Sequence, residues 1–351
     1  MKAAVYSRYG HPDVLQIKDV EKPVPKDNEV LIEVRAASVN PLEAGVIKGV
    51  PYLVRVLFGL PKPNDTRLGV DVAGRVEAVG RNVAQFKAGD EVFGVCISDP
   101  QASALRVWIP QGTFAEYACA PESALVTKPD HITFEQAASA PVAAFTALQG
   151  LRDKGQVQPG QKVLINGAAG GVGTFAVQIA KSFGAQVTGV CSTRNVDMVR
   201  SIGADHVIDY TKQDYTQEDF TKRGQRYDLI FDCIGNHSLS ACRRVLNPKG
   251  ILIMVGDLTG RRMTALLARL ITALVLSRFV SQKFVTFLAR PNKEDLTVLR
   301  DLMQAGKVKP VIDKRYSLSE VPDAIRYLGG KHVRGKVVIS LENNNEFQQH
   351  S

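Results

Sequence analysis

Apolar residues fall along this chain in two different rhythms. Up to about residue 129 they come in short runs separated by turn residues, which predicts strands at 3–6, 15–20, 29–37, 71–79, 91–96 and 114–120. Pro23, Pro25 and Lys26-Asp27-Asn28 part the second run from the third, and Lys87-Ala88-Gly89-Asp90 reads as the turn before the fifth. Between residues 38 and 68 the strand signal lapses, and 50–60 is an apolar stretch broken by Arg55. From Thr133 the spacing becomes helical: Phe134, Ala137 and Ala138, then Phe145, Leu148 and Leu151, predict a helix pair. Residues 162–166 follow as a strand buried on both faces. A glycine-rich turn leads straight into a helix marked by Val172, Phe175, Ala176, Ile179 and Phe183, which Gly184 is placed to end. Strands at 187–191, 205–208, 227–233 and 250–255 then alternate with helices near 196–201 and 239–246. A helix at 296–305, a strand at 311–316, a helix at 321–328 and a strand at 336–341 close the pattern, and 342–351 is polar. Such alternation builds a parallel sheet with helices on both faces, so the fold class is α/β with a β-rich N-terminal half.

The turn after residue 166 carries the first chemical signal. At a helix N-terminus the unpaired backbone N–H groups and the helix dipole favour an anion, and glycine lets a pyrophosphate approach the backbone. In the dinucleotide frame GxGxxG the three positions fall on Ala168, Gly170 and Gly173, with Gly167 preceding. The next strand ends where such folds read the adenosine ribose, and the chain offers Cys191, Ser192, Thr193 and Arg194, with no carboxylate before Asp197. A hydroxyl and a guanidinium suit a 2′-phosphate that a carboxylate would repel, so the expected cofactor is NADPH. The turns at 232–235 and 255–257 fall at strand C-terminal ends, where ligands bind in such sheets.

A length of 351 residues, 45% hydrophobic and 23% charged, allows two ordinary globular domains. The formal charge of +9 suits a polyanionic cofactor as well as a general basic surface. No nucleic-acid motif accompanies it. Five cysteines without a CxxC pair read as reduced and structural. MKAAVYSRYG enters a strand with no signal-peptide h-region, giving a cytoplasmic expectation.

Six runs, "LGVDVAGRVEAVG" (68–80), "FKAGDEVFG" (86–94), "GTFAEYA" (112–118), "GAAGGVG" (167–173), "GADHVIDY" (203–210) and "AGKVKPVID" (305–313), occur in the order found in the medium-chain dehydrogenase/reductase superfamily. The chain resembles that superfamily over nearly its whole length, and is most similar to the zinc-free quinone oxidoreductase branch with its reticulon-interacting NADPH oxidoreductases. The resemblance implies a GroES-like catalytic domain at 1–129, completed by 295–351, and a Rossmann NADP-binding domain at 130–294. Where the zinc alcohol dehydrogenases carry their Cys and Gly-His-Glu, this chain reads Ser38-Val39-Asn40-Pro41 and Gly69-Val70-Asp71. The four-cysteine structural lobe is also missing, which implies no metal. Carried over by position, Ala169, Gly170, Gly171, Val172 and Gly173 would line the pyrophosphate. Ser192, Arg194 and Tyr210 would meet the 2′-phosphate. Asn40 would lie near the nicotinamide, Thr146 would help seat the cofactor, and the turns of Gly235 and Gly256 would approach the dinucleotide. Tyr52, displaced one position by Pro51, matches a family tyrosine and joins Asn40 as a candidate catalytic residue.

Hydride transfer to a quinone or conjugated enone needs cofactor positioning and a donor to the developing oxyanion, without a metal. The expected activity is thus a zinc-independent, NADPH-dependent quinone or enone reductase acting on an apolar small molecule, with a homodimer as the expected assembly. The alternative from another class is a non-catalytic NADPH-binding sensor or RNA-binding adaptor. Residues 258–290 break the strand–helix rhythm with Arg261, Arg262, Arg269, Arg278, Lys283 and Arg290 and no acid but Asp257 just before them. They read as a basic amphipathic helix for peripheral membrane contact, for a subunit interface, or, with 50–60, for an apolar wall at the cleft mouth.

Overall fold

The computed structural model describes residues 1–50, 55–56, 59–63, 66–97, 111–212, 224–255, 280–330 and 333–341. They form two compact units, the described parts of Met1–Val142, Arg290–Gln304 and Ile312–Ser351, and those of Ala143–Ala289 and Ala305–Val311. The first unit begins with β1 (Lys2–Val5), β2 (Gln16–Asp19), β3 (Glu29–Val39), β4 (Asp71–Val79), β5 (Glu91–Val95), β6 (Tyr117–Pro121) and β7 (Leu125–Thr127). The second holds β8 (Lys162–Asn166), β9 (Gln186–Cys191), β10 (His206–Asp209), β11 (Tyr227–Asp232), β12 (Leu246–Val255) and β13 (Lys283–Phe287). The chain then returns to the first unit with β14 (Ile312–Ser317) and β15 (Lys336–Ser340).

β3 is the spine of the first unit. Its run of β-branched and small residues pairs antiparallel with β4, β6 and β15, in a sheet ordered β14-β15-β3-β4-β5-β7. Register does the positioning: Ser38 stands opposite Asp71 on one side and Val338 on the other, and Val39 opposite Val337. One core cluster joins Val30, Ile32 and Val34 to Val72, Val92 and Leu125; a second joins Val39 and Ile47 to Tyr6, Leu68 and Phe114.

Where the strand signal lapsed, the chain forms a helix at Pro41–Lys48. Asn40 precedes it in an extended conformation, Pro41 takes the first helical position with φ already suited to it, Glu43 sits at the third, and Gly49 ends it at φ +58°.

In the second unit six parallel strands run in the order β10-β9-β8-β11-β12-β13. The order reverses between β8 and β11, which makes their C-terminal ends the switch point where such sheets bind ligands. The division between the units falls at 142/143 and 289/290, not at 129/130 and 294/295. Helix Phe134–Ala138 packs on β3, β4 and β5. Residues 305–311 stay with the second unit, where Gln178 bonds the backbone of Lys309 in both directions, at 3.0 and 2.7 Å.

The helix expected over 258–290 is corrected at its described end. Lys283–Phe287, KFVTF, is a strand, because its aromatic and β-branched residues suit a pleated edge and pair in register with β12. The remainder, through 279, lies outside the described residues, as do Tyr52, Gly256 and most of 50–60. Among the described residues no helix is long and apolar enough to cross a membrane.

Candidate active site

The glycine turn follows β8 directly. Gly167 adopts φ +87°, and a Cβ there would meet the Ile234 side chain at 2.8 Å. Thr174 N–H donates to the Gly170 carbonyl at 2.9 Å, which starts the helix Gly171–Ser182 and leaves the amides of Gly171, Val172 and Gly173 without intrahelical acceptors. No side chain caps this end and its first turn carries no acidic residue, so it fits a pyrophosphate. A Cβ on Gly173 would stand 2.1 Å from the Gly167 carbonyl oxygen, so the helix and the turn touch through bare backbone. Gly173→Ala is therefore expected to cost about 1–3 kcal/mol of stability through overpacking, read as a lowered thermal midpoint.

The switch point holds a polar link that sequence reasoning missed. Asn166 at the end of β8 donates to Asp232 Oδ1 at 2.8 Å, its register partner on β11, and to Asn236 Oδ1 at 2.9 Å. Asp232 Oδ1 also accepts from the N–H groups of Ile234 and Gly235, at 3.1 and 2.8 Å. This carboxylate shapes the turn that carries Gly235, at φ +70°, and lays Ile234 over Gly167.

The ends of β9 and β10 bring Ser192, Arg194 and Tyr210 together. Tyr210 N–H donates to the Cys191 carbonyl at 3.1 Å, and its side chain is exposed. Ser192 precedes a short 3-10 turn at Thr193–Asn195 in which Arg194 is exposed, and its hydroxyl accepts from Asn195 Nδ2 at 3.2 Å. A carboxylate does stand here, though not one close in sequence: buried Asp209 accepts from the Thr193 hydroxyl at 2.6 Å and from the Thr211 hydroxyl and amide at 2.7 and 3.0 Å. Burial works to raise its carboxyl, and these bonds outweigh burial and hold it below the usual carboxylate range. Both its oxygens are thus turned into the loop. Thr146 is half-buried on a separate helix, Pro141–Gln149.

Asn40 belongs to a buried cluster in the first unit. It is 2% exposed, and its Nδ2 donates to Asp71 Oδ2 at 2.9 Å. The same oxygen accepts from the Ser38 hydroxyl at 2.5 Å, while Asp71 Oδ1 accepts from the Val142 amide at 2.9 Å. Lys336, at the start of β15, donates through Nζ to Asn40 Oδ1 at 2.6 Å and lies 3.5 Å from Asp71 Oδ2. Glu43 Oε2 accepts from the Asn40 backbone N–H at 2.8 Å, and Oε1 is buried without a hydrogen-bond partner among the described residues. Burial, and next the Asp71 charge, push the Glu43 carboxyl up to about 7. Neither Glu43 nor Lys336 was singled out from sequence.

Two family models match this chain: "Alcohol dehydrogenase GroES-like domain" over residues 26–130 and "Zinc-binding dehydrogenase" over residues 202–339. The "NADPH-dependent alkenal/one oxidoreductase, chloroplastic" of Arabidopsis thaliana is 36% identical over 344 residues, covering 97% of this chain and 79% of that protein. The chain belongs to the medium-chain dehydrogenase/reductase superfamily, in its zinc-independent quinone and enone oxidoreductase branch. The "NAD(P)H oxidoreductase RTN4IP1, mitochondrial" of Mus musculus is 32% identical, covering 97% of this chain and 89% of that protein. Among solved structures, the quinone oxidoreductase from Coxiella burnetii superposes with a TM-score of 0.81 at 30% identity, covering 97% of this chain and 99% of that one. Both architectures expected from the resemblance, the GroES-like unit and the Rossmann-like parallel sheet, are those of the superfamily.

The cytoplasmic expectation is corrected. The two relatives are named for the chloroplast and the mitochondrion, so the cytoplasmic expectation does not stand. The expectation rested on the lack of a secretory signal, which bears on export and says nothing of organelles. Zinc, implied by the name of one matched model, does not fit the residues present. The corresponding place offers a hydroxyl, an amide and one carboxylate already engaged by a buried ammonium, and a second cation there would be repelled.

Proposed function

We propose that this chain reduces quinones or α,β-unsaturated carbonyl compounds with NADPH and without zinc. The observation that carries the reading is the Asp71 cluster, in which an amide and an ammonium stand where a zinc dehydrogenase needs a Lewis acid. A conjugated enone or a quinone accepts hydride without such an acid, given a hydrogen bond to the oxygen that gains charge. NADPH supplies the hydride when bound. Ala169 to Gly173 line its pyrophosphate, to which the amides of Gly171, Val172 and Gly173 donate; Ser192, Arg194 and Tyr210 bind the 2′-phosphate; Thr146, Gly235 and Gly256 seat the rest. Asn40 has one Nδ2 hydrogen committed to Asp71, so the second is the one it offers to the nicotinamide end. Tyr52 or a water donates to the substrate oxygen. The names of the alkenal/one and quinone oxidoreductases among the relatives support the substrate class.

NADPH oxidation against a panel of quinones and enones, with and without chelator, tests the reading. Turnover that survives chelation is expected; activity lost on chelation and restored by zinc would overturn it. Arg194→Ala should weaken NADPH binding by about 2 kcal/mol, as for loss of a charge-assisted hydrogen bond, and leave NADH nearly unchanged. Equal affinity of the parent for both cofactors would refute the assigned 2′-phosphate site. The proposal extends to a homodimer, which β13, the last strand of the described sheet, could join by edge pairing. It also extends to membrane contact through the basic run of 258–290. Sedimentation velocity and flotation on anionic vesicles test these two extensions.

A further inference from the structure

Lys336 lies 296 residues from Asn40 in the chain, and the antiparallel pairing of Val337 with Val39 sets the two side by side. Its side chain is 4% exposed. An ammonium has three N–H donors, and three oxygens surround this one: Asn40 Oδ1 at 2.6 Å, the Val39 carbonyl at 3.3 Å and Asp71 Oδ2 at 3.5 Å. A charge this deep persists only when paired and hydrogen-bonded, and both conditions hold.

The consequence falls on Asn40. With its oxygen against the ammonium and its nitrogen against the carboxylate, a half-turn of the amide would set NH2 against ammonium and oxygen against carboxylate. Both contacts would become repulsive. An asparagine amide is ordinarily free to take either orientation according to its surroundings. Here a cation and an anion fix it from both ends.

We propose that Lys336 is a positioning residue of the site, supplying the local positive charge that a metal supplies in the zinc dehydrogenases and locking the Asn40 amide in one orientation for the nicotinamide end of the cofactor. This rests on the reading that NADPH binds beside Asn40. It differs from a structural role for Lys336, in which the ammonium only neutralises Asp71 and leaves the amide's orientation without consequence.

Two variants separate these roles. Lys336→Met keeps a long unbranched side chain and removes the charge; Asp71→Asn/Lys336→Met removes both charges, and with them the penalty of an unpaired buried ion. Fluorescence titration with NADPH and with 2′,5′-ADP, which lacks the nicotinamide, gives a readout independent of turnover. In Lys336→Met the NADPH Kd is expected to rise at least tenfold while that of 2′,5′-ADP stays within twofold. In the double variant the thermal midpoint should return toward the parent value while the NADPH defect remains. Recovery of NADPH affinity together with stability in the double variant would overturn the assignment, as would a parent-like NADPH Kd in Lys336→Met. A parent protein that binds 2′,5′-ADP and NADPH no better than buffer would overturn the functional reading itself, and this assignment with it.

Discussion

Replacing Asp71 by alanine is expected to lower the melting transition of the first unit by on the order of 10 °C, from a loss of about 3–5 kcal/mol. Asp71 is fully buried, and its carboxylate is the common acceptor for Ser38, Asn40, the Val142 amide and the Lys336 ammonium. Removing it leaves one buried ammonium uncompensated and three donors short of an acceptor, each with its own desolvation cost. The ammonium dominates, because a lone buried charge costs more than an unmet neutral donor. Asp71→Asn keeps the shape and one acceptor oxygen and should cost less, yet more than the double variant that also neutralises Lys336. Calorimetry on the three proteins checks this order. An Asp71→Ala midpoint within a degree or two of the parent would mean that water reaches the cluster and that the buried ion pair is no determinant of stability.

The same cluster shows what could be read from sequence and what could not. The glycine turn and the parallel sheet were legible because both are local: Gly167 to Gly173 lie within one turn, and short helices at Val196–Ser201 and Leu239–Arg244 alternate with the strands after residue 186. The candidate positions Ser192, Arg194 and Tyr210 come from adjacent strand ends and are brought together by the pairing of β9 with β10. Asp209 arrives at the same place by that pairing, although along the chain the first carboxylate after Ser192 is Asp197. Lys336 was harder. In KVVIS it reads as the polar first residue of a strand, and only the register of β15 on β3 brings it to Asn40. The Pro41–Lys48 helix, by contrast, had its signals in plain view, with proline at its first position, glutamate at its third and glycine after its last. Its apolar face is short, so the hydrophobic period that served elsewhere gave no signal. Glu43 went unnoticed with it, as a polar residue of an apparent loop.

Glu43 gives the second large effect, on pH dependence. In the unfolded chain its carboxyl titrates near 4.5; in the fold, burial first and the neighbouring Asp71 charge second raise it to about 7, against the lowering influence of its own backbone N–H, the Lys336 charge and the Asn40 backbone N–H. The folded protein therefore holds this proton more tightly than the unfolded chain does. The resulting stabilisation is fully present below pH 4.5 and is lost as pH rises toward 7. A difference of this size corresponds to about 3 kcal/mol, since each pKa unit carries about 1.4 kcal/mol. Glu43→Gln keeps an oxygen that can accept from the Asn40 backbone N–H and cannot ionise, so its stability should not carry this slope. The expected result is that the parent's unfolding free energy, measured by urea titration relative to Glu43→Gln, falls by about 2–3 kcal/mol between pH 5 and pH 8. Above about pH 7 the Glu43 carboxylate adds a negative charge behind Asn40. A difference between the two proteins that stays constant with pH would show that Glu43 ionises in the fold as it does in water.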